Sequence, residues 1–400
     1  MRAYSTSSEE VLFARNLLKD WAGEGFLSDE QYQRMEQETV SELRRTNIFL
    51  RLVLFFFTVV IVGAAVGLFF MAFSWNSTSQ AVGPLLLIFA AVSYAAAEFA
   101  VSRGLYRYGI EEGLAAGSIA LLCVGMAAIL FTSHGSPKSN GTEFLIPATG
   151  VVASLWIWHR FGLFYAFLAA MLFVPWLSGC WTSSHSAQHL IVAAFYAIGL
   201  VTVAGLRSRH RFSHLNGEYS IVEALLWFGI YLTFNLQLSS VDLFRQSWGD
   251  PRSTAEFSRT FYWATWVMTW CIPSAALSRG LHRKDRFVIA VGGIIAILTL
   301  VTNKSYLGWQ RHPWDPMLLG VLLIGIALFL HRWLSKGTDG IRHGFTAQRL
   351  SGKDKRWMNA ASVAFGLASP HSTTVSPQTG GPEVRFGGGD SGGGGATSDF

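Results

Sequence analysis

Long apolar runs separated by short polar stretches make up most of the chain. The first of them, Ile48–Phe73, reads IFLRLVLFFFTVVIVGAAVGLFFMAF and holds one charged residue, Arg51. A helix of about 20 apolar residues crosses the hydrocarbon core of a bilayer, which is about 30 Å thick. The run is too long and too far from the N-terminus for a cleaved signal peptide. It is therefore predicted to be the first permanent transmembrane span.

Nine further apolar runs follow, so the sequence predicts an all-α, polytopic transmembrane helix bundle of ten spans. Two of the runs are short for a full crossing, and the alternative is eight spans with two re-entrant or tightly hinged pieces. The two short runs are 144–158 and 287–302. The predicted bundle occupies residues 48–334, with spans at 48–73, 81–101, 113–132, 144–158, 161–178, 188–206, 219–238, 258–277, 287–302 and 316–334.

The polar segment before the first span, residues 1–47, has the pattern of a cytosolic helical hairpin. Apolar residues recur at helical spacing as far as Trp21, and the glycines at 23 and 25 then break the pattern. Ser28 is a natural N-cap for the second helix, and Gln31 three residues later completes a capping box. Two helices joined by a short turn are therefore expected.

The chain changes character after Leu334. Residues 353–367, KDKRWMNAASVAFGL, have the composition of a short basic interfacial helix. Beyond Ser369 the sequence is rich in Ser, Thr, Pro and Gly, which cannot bury a hydrophobic core. Residues 335–400 are therefore predicted to be a cytosolic basic segment followed by a disordered glycine-rich tail.

The stretch LLKDWAGEGFLSDEQYQRMEQETVSEL resembles a short helical module at one end of many bacterial membrane proteins. Its pattern is a Leu-rich helix, a glycine, an apolar pair, an acidic helix start and a second helix. It is similar to the N-terminal segment of uncharacterised bacterial membrane-protein families, and less closely to the SHOCT-type oligomerisation module. The resemblance implies a homo-oligomer or a cytosolic protein partner bound through residues 7–45, and a bacterial cytoplasmic membrane. It carries no catalytic residues.

Positive charge is distributed unequally between the two alternating sets of loops. Cytoplasmic loops of membrane proteins are enriched in Lys and Arg, so the richer set is predicted to be cytoplasmic, together with both termini. One set has ten positive residues, Arg103, Arg107, Arg160, Arg207, Arg209, Arg211, Arg279, Arg283, Lys284 and Arg286. The other set has five, Lys138, Arg245, Arg252, Lys304 and Arg311.

The overall composition excludes an ordinary soluble globular protein. Hydrophobic residues make up 51% of the chain and charged residues only 14%. The net charge of +6 is interpreted as Lys and Arg of cytoplasmic loops that contact anionic membrane lipid. It is not taken as evidence of nucleic-acid binding. The chain has no H-E-x-x-H motif and no phosphate-binding G-x-x-x-x-G-K motif. We therefore expect no enzymatic activity, no cofactor and no metal.

A weak internal regularity occurs at a lag of 111 residues. Glu112 and Glu223 begin similar three-residue motifs, EGL and EAL. The same shift of 111 residues roughly superposes spans one to four on spans five to eight. Such a parallel repeat is common in transporters. The alternative is a chance alignment of spans and loops of similar length.

Carboxylates near the membrane are the first candidate sites, because an ionisable group within a span is costly and is usually functional. Glu98 and Glu223 lie near the cytoplasmic ends of their spans, and Glu112 lies just before the third span. With Glu111 and Glu218 they could form a cytoplasmic mouth that binds a proton, a cation or an amine. The alternative is that each carboxylate reaches water or pairs with Arg103, Arg107 or Arg207.

Aromatic residues and histidines give two further candidates. Trp263, Trp266 and Trp270 follow helical spacing, and they could line a cavity for an apolar or cationic ligand or form a lipid-facing stripe. The pairs His185/His189 and His210/His214 have the i, i+4 spacing of two metal ligands but no evident third ligand. Interfacial or phosphate-contacting histidines are the preferred interpretation of both pairs.

Two classes of function fit this sequence. The first is a membrane-embedded carrier or channel for a small solute or ion, favoured by the repeat and by the carboxylates near one face. The second is a non-transporting scaffold or sensor, in which the N-terminal hairpin mediates protein association and the bundle supplies the anchor.

Overall fold

A computed structural model describes residues 3–23, 25–39, 43, 46–73, 79–130, 142–209, 215–238, 257–309, 312–336, 341–342 and 345–346. Within these residues the chain is almost wholly helical, with twelve helices and one antiparallel pair of two-residue strands. The helices are α1 (Thr6–Gly23), α2 (Asp29–Glu38), α3 (Ile48–Phe73), α4 (Ser79–Ser102), α5 (Ile110–Leu130), α6 (Leu145–Phe161), α7 (Phe164–Trp181), α8 (His185–Arg209), α9 (Asn216–Phe234), α10 (Arg259–Arg283), α11 (Arg286–Tyr306) and α12 (Asp315–Ser335). The strands are β1 (Ile341–Arg342) and β2 (Phe345–Thr346). The predicted interfacial helix and glycine-rich tail lie outside the described residues.

Seven of the described helices are long and apolar enough to cross a membrane, which is compatible with a membrane protein. They are α3, α4, α5, α7, α8, α11 and α12. One predicted short span, 287–302, lies within α11, which has 21 residues and is among the seven. The other, 144–158, lies within α6, which has only 17 residues.

Two further helices, α9 and α10, coincide with predicted spans but are not among the seven. Helix α9 carries Glu218 and Glu223, and α10 carries arginines at both ends. Much of α9 is buried among α7, α8, α10 and α11. A helix with protein on most sides keeps its polar groups away from lipid, so it needs fewer apolar residues than a peripheral helix.

The N-terminal hairpin forms as the sequence predicts. The Ser28 hydroxyl accepts a hydrogen bond from the Gln31 backbone N–H at 3.3 Å, and the Gln31 side chain accepts one from the Ser28 backbone N–H at 3.0 Å. This capping box starts α2 at Asp29. The Arg15 Nη2 atom lies 2.8 Å from Glu36 Oε1 and joins the two helices of the hairpin.

The helices of the bundle share two hydrophobic cores that meet at α7. The first core contains residues of α4, α5, α6 and α7, together with Tyr4 from the segment before α1. The second core contains residues of α7, α8, α9, α10 and α11. Helices α3 and α12 lie at the periphery and expose apolar side chains along most of their length. Such surfaces are those expected to face lipid.

Several helix contacts repeat with a shift of four helices, although the contact of α9 with α11 has no match of similar extent between α5 and α7. In the first half α4 packs on α5, α3 on α5, α5 on α6 and α6 on α7. In the second half α8 packs on α9, α7 on α9, α9 on α10 and α10 on α11. The same shift of four helices relates the predicted spans of the 111-residue repeat.

Glycines allow α3 and α5 to approach closely. Gly109 has φ +106°, and a Cβ atom there would lie 2.2 Å from the Arg51 carbonyl oxygen. A Cβ atom on Gly113 would lie 2.8 Å from the Thr58 Cβ. By contrast, added Cβ atoms on Gly63 and Gly67 would meet no described atom within 4 Å, so these two glycines face away from the described bundle.

Candidate functional site

Most of the charged side chains in the bundle gather at one end, which we call the basic end. It is defined by Arg51, Arg107, Arg160, Arg207 and Arg279, each paired with a carboxylate. These arginines come from the start of α3, the loop after α4 and the ends of α6, α8 and α10. The loops of the richer positive set therefore meet at one end of the bundle.

Glu98 lies on the last turns of α4 and is held by α6. Arg160 donates from Nε to Glu98 Oε1 at 2.7 Å and from Nη2 to Oε2 at 2.9 Å. The Tyr94 hydroxyl donates to Glu98 Oε1 at 2.9 Å, and the Trp156 indole N–H donates to Tyr94 at 2.9 Å. A bidentate arginine and a phenol satisfy this carboxylate and tie α4 to α6.

A small pocket adjoins this chain of hydrogen bonds. It lies between α4, α5 and α6 and has a volume of about 280 Å³. Its wall is mostly aliphatic, and Tyr94 and Trp156 supply its polar edge. The lining residues are Leu87, Ala90, Ala91, Tyr94, Ser118, Ile119, Leu122, Ala153, Trp156 and Ile157. Its chemistry suits an apolar group better than an ion.

Glu112 lies in the first turn of α5 and is buried against α3. Arg51 donates from Nε to Glu112 Oε2 at 2.9 Å, and its Nη2 donates to Oε1. Gly109 allows this contact because it lets the α5 start lie directly against the Arg51 backbone. The carboxylate is therefore fully used by one bidentate arginine.

Glu218, in the first turn of α9, joins the two halves of the bundle. Its partner is Arg107 in the loop between α4 and α5, which donates from Nη2 to Glu218 Oε1. Both side chains are partly exposed at the basic end.

Glu223 is the most completely buried carboxylate of the set and has the most partners. Arg207 Nη1 lies 2.8 Å from Oε2, Arg279 Nε lies 2.7 Å from Oε1, and Arg283 Nη1 lies 3.7 Å from Oε2. The three arginines come from α8 and α10, on either side of α9. One carboxylate thus holds three helices together.

Asp285 belongs to the same cluster, and sequence reasoning missed it. It is the N-cap of α11 and accepts from the Phe287 backbone N–H at 3.0 Å. The Ser220 hydroxyl donates to Asp285 at 2.6 Å, and Arg207 pairs with Asp285 as well as with Glu223. An aspartate between a basic loop and an apolar run is a recognisable N-cap signal, but its pairing with Arg207 depends on the fold.

Four of the five candidate carboxylates thus have arginine partners, in line with the second interpretation of the sequence. That interpretation named Arg103, Arg107 and Arg207 as partners. The structure pairs Arg107 with Glu218 and Arg207 with Glu223, whereas Glu98 pairs with Arg160 and Glu112 with Arg51. These pairs can close the basic end and hold the helices in register.

Glu111 differs from the other carboxylates. Its side chain is buried, with the residue 1% exposed, and Oε1 accepts from the Tyr108 backbone N–H at 2.6 Å. Its Oε2 has no hydrogen-bond partner among the described residues, and the hydroxyls of Tyr4 and Tyr165 are likewise buried without one. Burial first, and then the charge of Glu111, raise the pKa of Tyr4 above its ordinary value. The phenol therefore stays protonated.

The three tryptophans of α10 divide between two environments. Trp263 and Trp270 are exposed on the outside of the described bundle. The Trp266 indole N–H donates to the Asn303 side chain at 2.9 Å. The Trp266 ring packs edge to face on Trp263. Exposed rings of this kind suit a lipid-facing stripe, and a ligand role for the three residues stays a prediction.

The histidine pair at the start of α8 has aromatic neighbours. His189 is buried, its Nδ1 lies 2.7 Å from the Thr233 carbonyl oxygen, and its ring contacts Phe257 and Phe261. His185 also lies against Phe257. Within the described ranges no group of three or more His, Cys, Asp or Glu residues could hold a metal ion. His210 and His214 lie outside the described residues.

A second polar network occupies the end of the bundle opposite the basic end. The Asn235 amide donates to the Tyr231 hydroxyl at 2.7 Å and to the Thr302 hydroxyl at 3.0 Å. The Thr299 hydroxyl donates to Tyr231 at 3.1 Å. This network has no charged member and joins α9 to α11.

Comparison of the chain with protein-family models, with curated proteins and with solved structures found no match in any of the three.

Proposed function

We propose that this chain is a ten-span membrane carrier for a small solute or ion, with both termini in the cytoplasm of a bacterial cell. The observation that carries the proposal is the pair of similar halves, each with a buried, arginine-held carboxylate at the basic end. Glu112 in the first half and Glu223 in the second lie 111 residues apart in the sequence. Paired halves of this kind are a common basis of alternating access.

The ion pair between the halves supports a gating role for the basic end. Arg107 of the first half pairs with Glu218 of the second, and both side chains reach solvent. An exposed pair is worth little to overall stability, typically about 0–1 kcal/mol. It is therefore weak enough to break and re-form when two halves move against each other.

The positions of the paired side chains support alternating helix directions. Glu98 and Arg160 lie near the C-terminal ends of α4 and α6, whereas Glu112 lies at the N-terminal start of α5. Arg207 at the end of α8 and Glu223 near the start of α9 continue this alternation. Helices that alternate in this way suit successive crossings of one bilayer, and the positive charge of the loops favours a cytoplasmic basic end.

The experiment is an uptake assay with the full chain in proteoliposomes. The probes are ²²Na⁺, ⁸⁶Rb⁺ and radiolabelled methylammonium, which represent the cation and amine classes. We expect uptake of at least one probe above that of protein-free vesicles, and a change of about tenfold or more in Glu223→Gln or Glu112→Gln. Glu36→Gln in the hairpin is the matched control and should leave uptake unchanged.

Two results would contradict the carrier. One is the absence of uptake for every probe by protein that is folded in the vesicles. The other is an uptake rate that stays the same in Glu98→Gln, Glu112→Gln and Glu223→Gln.

A second candidate function, a membrane-anchored association module, is favoured by the surface of the hairpin. Phe13, Leu17 and Trp21 lie four residues apart on α1, so they share one face, and all three side chains are exposed. The resemblance of this segment to short helical association modules adds to the case. An exposed apolar stripe on a polar hairpin is typical of a protein-binding surface.

The test of this second function is removal of residues 1–45 from the chain. Native mass spectrometry of both forms should show an oligomer or protein partner with the full chain and its loss in the shortened one. The matched point variant Leu17→Glu should have the same effect without deleting the hairpin. A partner that survives both changes refutes the association role of the hairpin.

A further inference from the structure

Three buried polar groups at the basic end have no hydrogen-bond partner among the described residues. They are Glu111 Oε2, the Tyr4 hydroxyl and the Tyr165 hydroxyl. Tyr4 is 5% exposed and Glu111 is 1% exposed, so bulk water does not reach either residue freely. A buried polar atom that lacks a partner costs about 1–3 kcal/mol, and a charged one costs more. Three such atoms in one place call for an explanation.

The three groups lie in one neighbourhood. Tyr4 shares the first hydrophobic core with Ala115 of α5, and Tyr165 packs against the same core. The Tyr165 ring centroid lies 6.3 Å from that of Phe55, one turn after Arg51 on α3, and Arg51 holds Glu112, the neighbour of Glu111. These groups come from the N-terminal segment and from the ends of α5, α3 and α7. The site therefore forms where α3 and α5 of the first half and α7, the first helix of the second half, meet the start of the chain.

Among the residues that the structure describes, the local charge balance is negative. Arg51 and Glu112 neutralise each other in a bidentate pair, and the described residues supply no cationic hydrogen-bond partner for the Glu111 carboxylate. The N-terminus of α5 and the Tyr108 N–H offset about half a unit of negative charge. The groups that remain open are all oxygens, which are the ligands that hard cations prefer. A protonated phenol offers such an oxygen without adding charge.

We propose that Glu111, Tyr4 and Tyr165 form a binding site for a monovalent cation, Na⁺ or K⁺, at the basic end. The cation supplies the missing positive charge and satisfies the three open oxygens together. This site uses none of the arginine-held carboxylates on which the carrier proposal depends, although Glu111 adjoins Glu112. It can therefore bind a cation in a protein that transports nothing.

The site is completed by the N-terminal segment, which makes cation binding and docking of that segment interdependent. The Ala3 backbone N–H donates to the Arg160 carbonyl oxygen at 2.8 Å, and the Tyr4 ring packs edge to face on Tyr106 with centroids 4.8 Å apart. These contacts place the Tyr4 hydroxyl inside the bundle. By linkage, a cation that binds Tyr4 in this position also holds the segment down.

The experiment measures cation-specific stabilisation of the full chain in detergent. Melting temperatures are compared in NaCl, KCl and choline chloride at equal ionic strength, because choline is a monovalent cation much larger than Na⁺ or K⁺ and serves as the control. We expect Na⁺ or K⁺ to raise the melting temperature by about 2–5 °C over choline. Glu111→Gln should abolish this difference and Tyr4→Phe should reduce it.

Two matched variants test whether the effect belongs to this site. Tyr196→Phe removes a buried phenol of the second core that donates to the Met171 carbonyl oxygen at 2.6 Å. Glu98→Gln removes a carboxylate that Arg160 already neutralises. Both should lower the melting temperature in every salt and keep the difference between salts.

A second readout is hydrogen exchange of the N-terminal peptide, followed by mass spectrometry. Exchange in residues 3–9 should slow by about threefold or more in the stabilising salt, and Glu111→Gln should remove that dependence. Equal melting temperatures in all three salts would overturn the proposal and indicate a buried water or a proton at Glu111. A salt difference of undiminished size in Glu111→Gln would overturn it too.

Discussion

The two halves of the bundle hold corresponding carboxylates by different means. Glu223 in the second half has three arginine neighbours, and Arg207 also pairs with Asp285. Glu112 in the first half has Arg51 as its ion-pair partner, and the adjacent Glu111 has an oxygen that no described group satisfies. The Glu223 cluster has all its charged partners within the second half, whereas the Glu111 region of the first half depends on the N-terminal segment.

This difference indicates which half is the rigid one. A buried ion pair is not by itself strong evidence of stability, because desolvation offsets most of its attraction. Once an ion pair is buried, however, removing one partner lowers the free energy of unfolding, and the loss rises with the number of buried charges left without a partner. The Glu223 cluster should therefore resist change, and the Glu111 region should respond to what binds there.

The largest expected effect is that of Arg207→Met. The change leaves Asp285 without its arginine and removes one of the closest cations from Glu223, while keeping an unbranched apolar stem. We expect a loss of about 3–5 kcal/mol of stability, seen as a large fall in melting temperature or a failure to purify as a single species. Thermal unfolding in detergent is the measurement.

The matched variant in the first half is Arg51→Met, which should cost less than Arg207→Met. Arg51 serves one carboxylate and its side chain is 23% exposed, whereas Arg207 serves two and is 10% exposed. Water can therefore reach the charge that Arg51 leaves behind more easily. A greater loss in Arg51→Met would reverse the proposed order of the two halves.

Much of the helical framework could be predicted from sequence because apolar runs and caps are local signals. The run from Ile48 to Phe73 became α3 with the same bounds, and Ser28 with Gln31 started α2 as expected. Gly113 packs on Thr58, in keeping with the general rule that glycines let helices approach closely. These features depend on neighbours within a few residues along the chain or on helix packing rules.

The partners in the candidate site could not be predicted in the same way, because they depend on which helices meet. Arg51 and Arg160 lie 61 and 62 residues from their carboxylates, and no spacing rule links them. The sequence places Glu111 only in a group of acidic residues near the membrane. Its burial beside the N-terminal segment depends on the fold, which packs Tyr4 into one core with α5.

The third prediction, with a smaller expected effect than Arg207→Met, tests the close contact that positions Glu112. Gly109→Ala places a Cβ atom 2.2 Å from the Arg51 carbonyl oxygen at a φ of +106°, so α3 must move away from α5. We expect a loss of about 2–4 kcal/mol of stability, larger than the strain alone would give. Gly25→Ala is the control, because Gly25 has φ +79° and no described atom within 4 Å of an added Cβ. Gly25→Ala should lower the free energy of unfolding by about 1 kcal/mol. Similar melting temperatures for Gly109→Ala and Gly25→Ala would argue against a tight α3–α5 contact.

The smallest effect concerns the hairpin, where the Arg15–Glu36 pair gives an exposed counterpart to the buried pairs of the two halves. The side chains are 49% and 34% exposed. The hydrogen bond from Arg15 lowers the pKa of Glu36 below its ordinary value of 4.5. A lowered carboxyl pKa stabilises the folded hairpin at pH values above the ordinary pKa, and this contribution disappears as pH falls through the lowered value.

Hydrogen exchange of α2 in the full chain, corrected for the intrinsic effect of pH, should therefore show less protection at about pH 3 than at about pH 6. Arg15→Gln should reduce protection at the higher pH and converge with the unmodified chain at the lower one. If the two chains differ equally at both values, the ion pair is not what joins α1 to α2, and the apolar contacts of the hairpin must hold it instead.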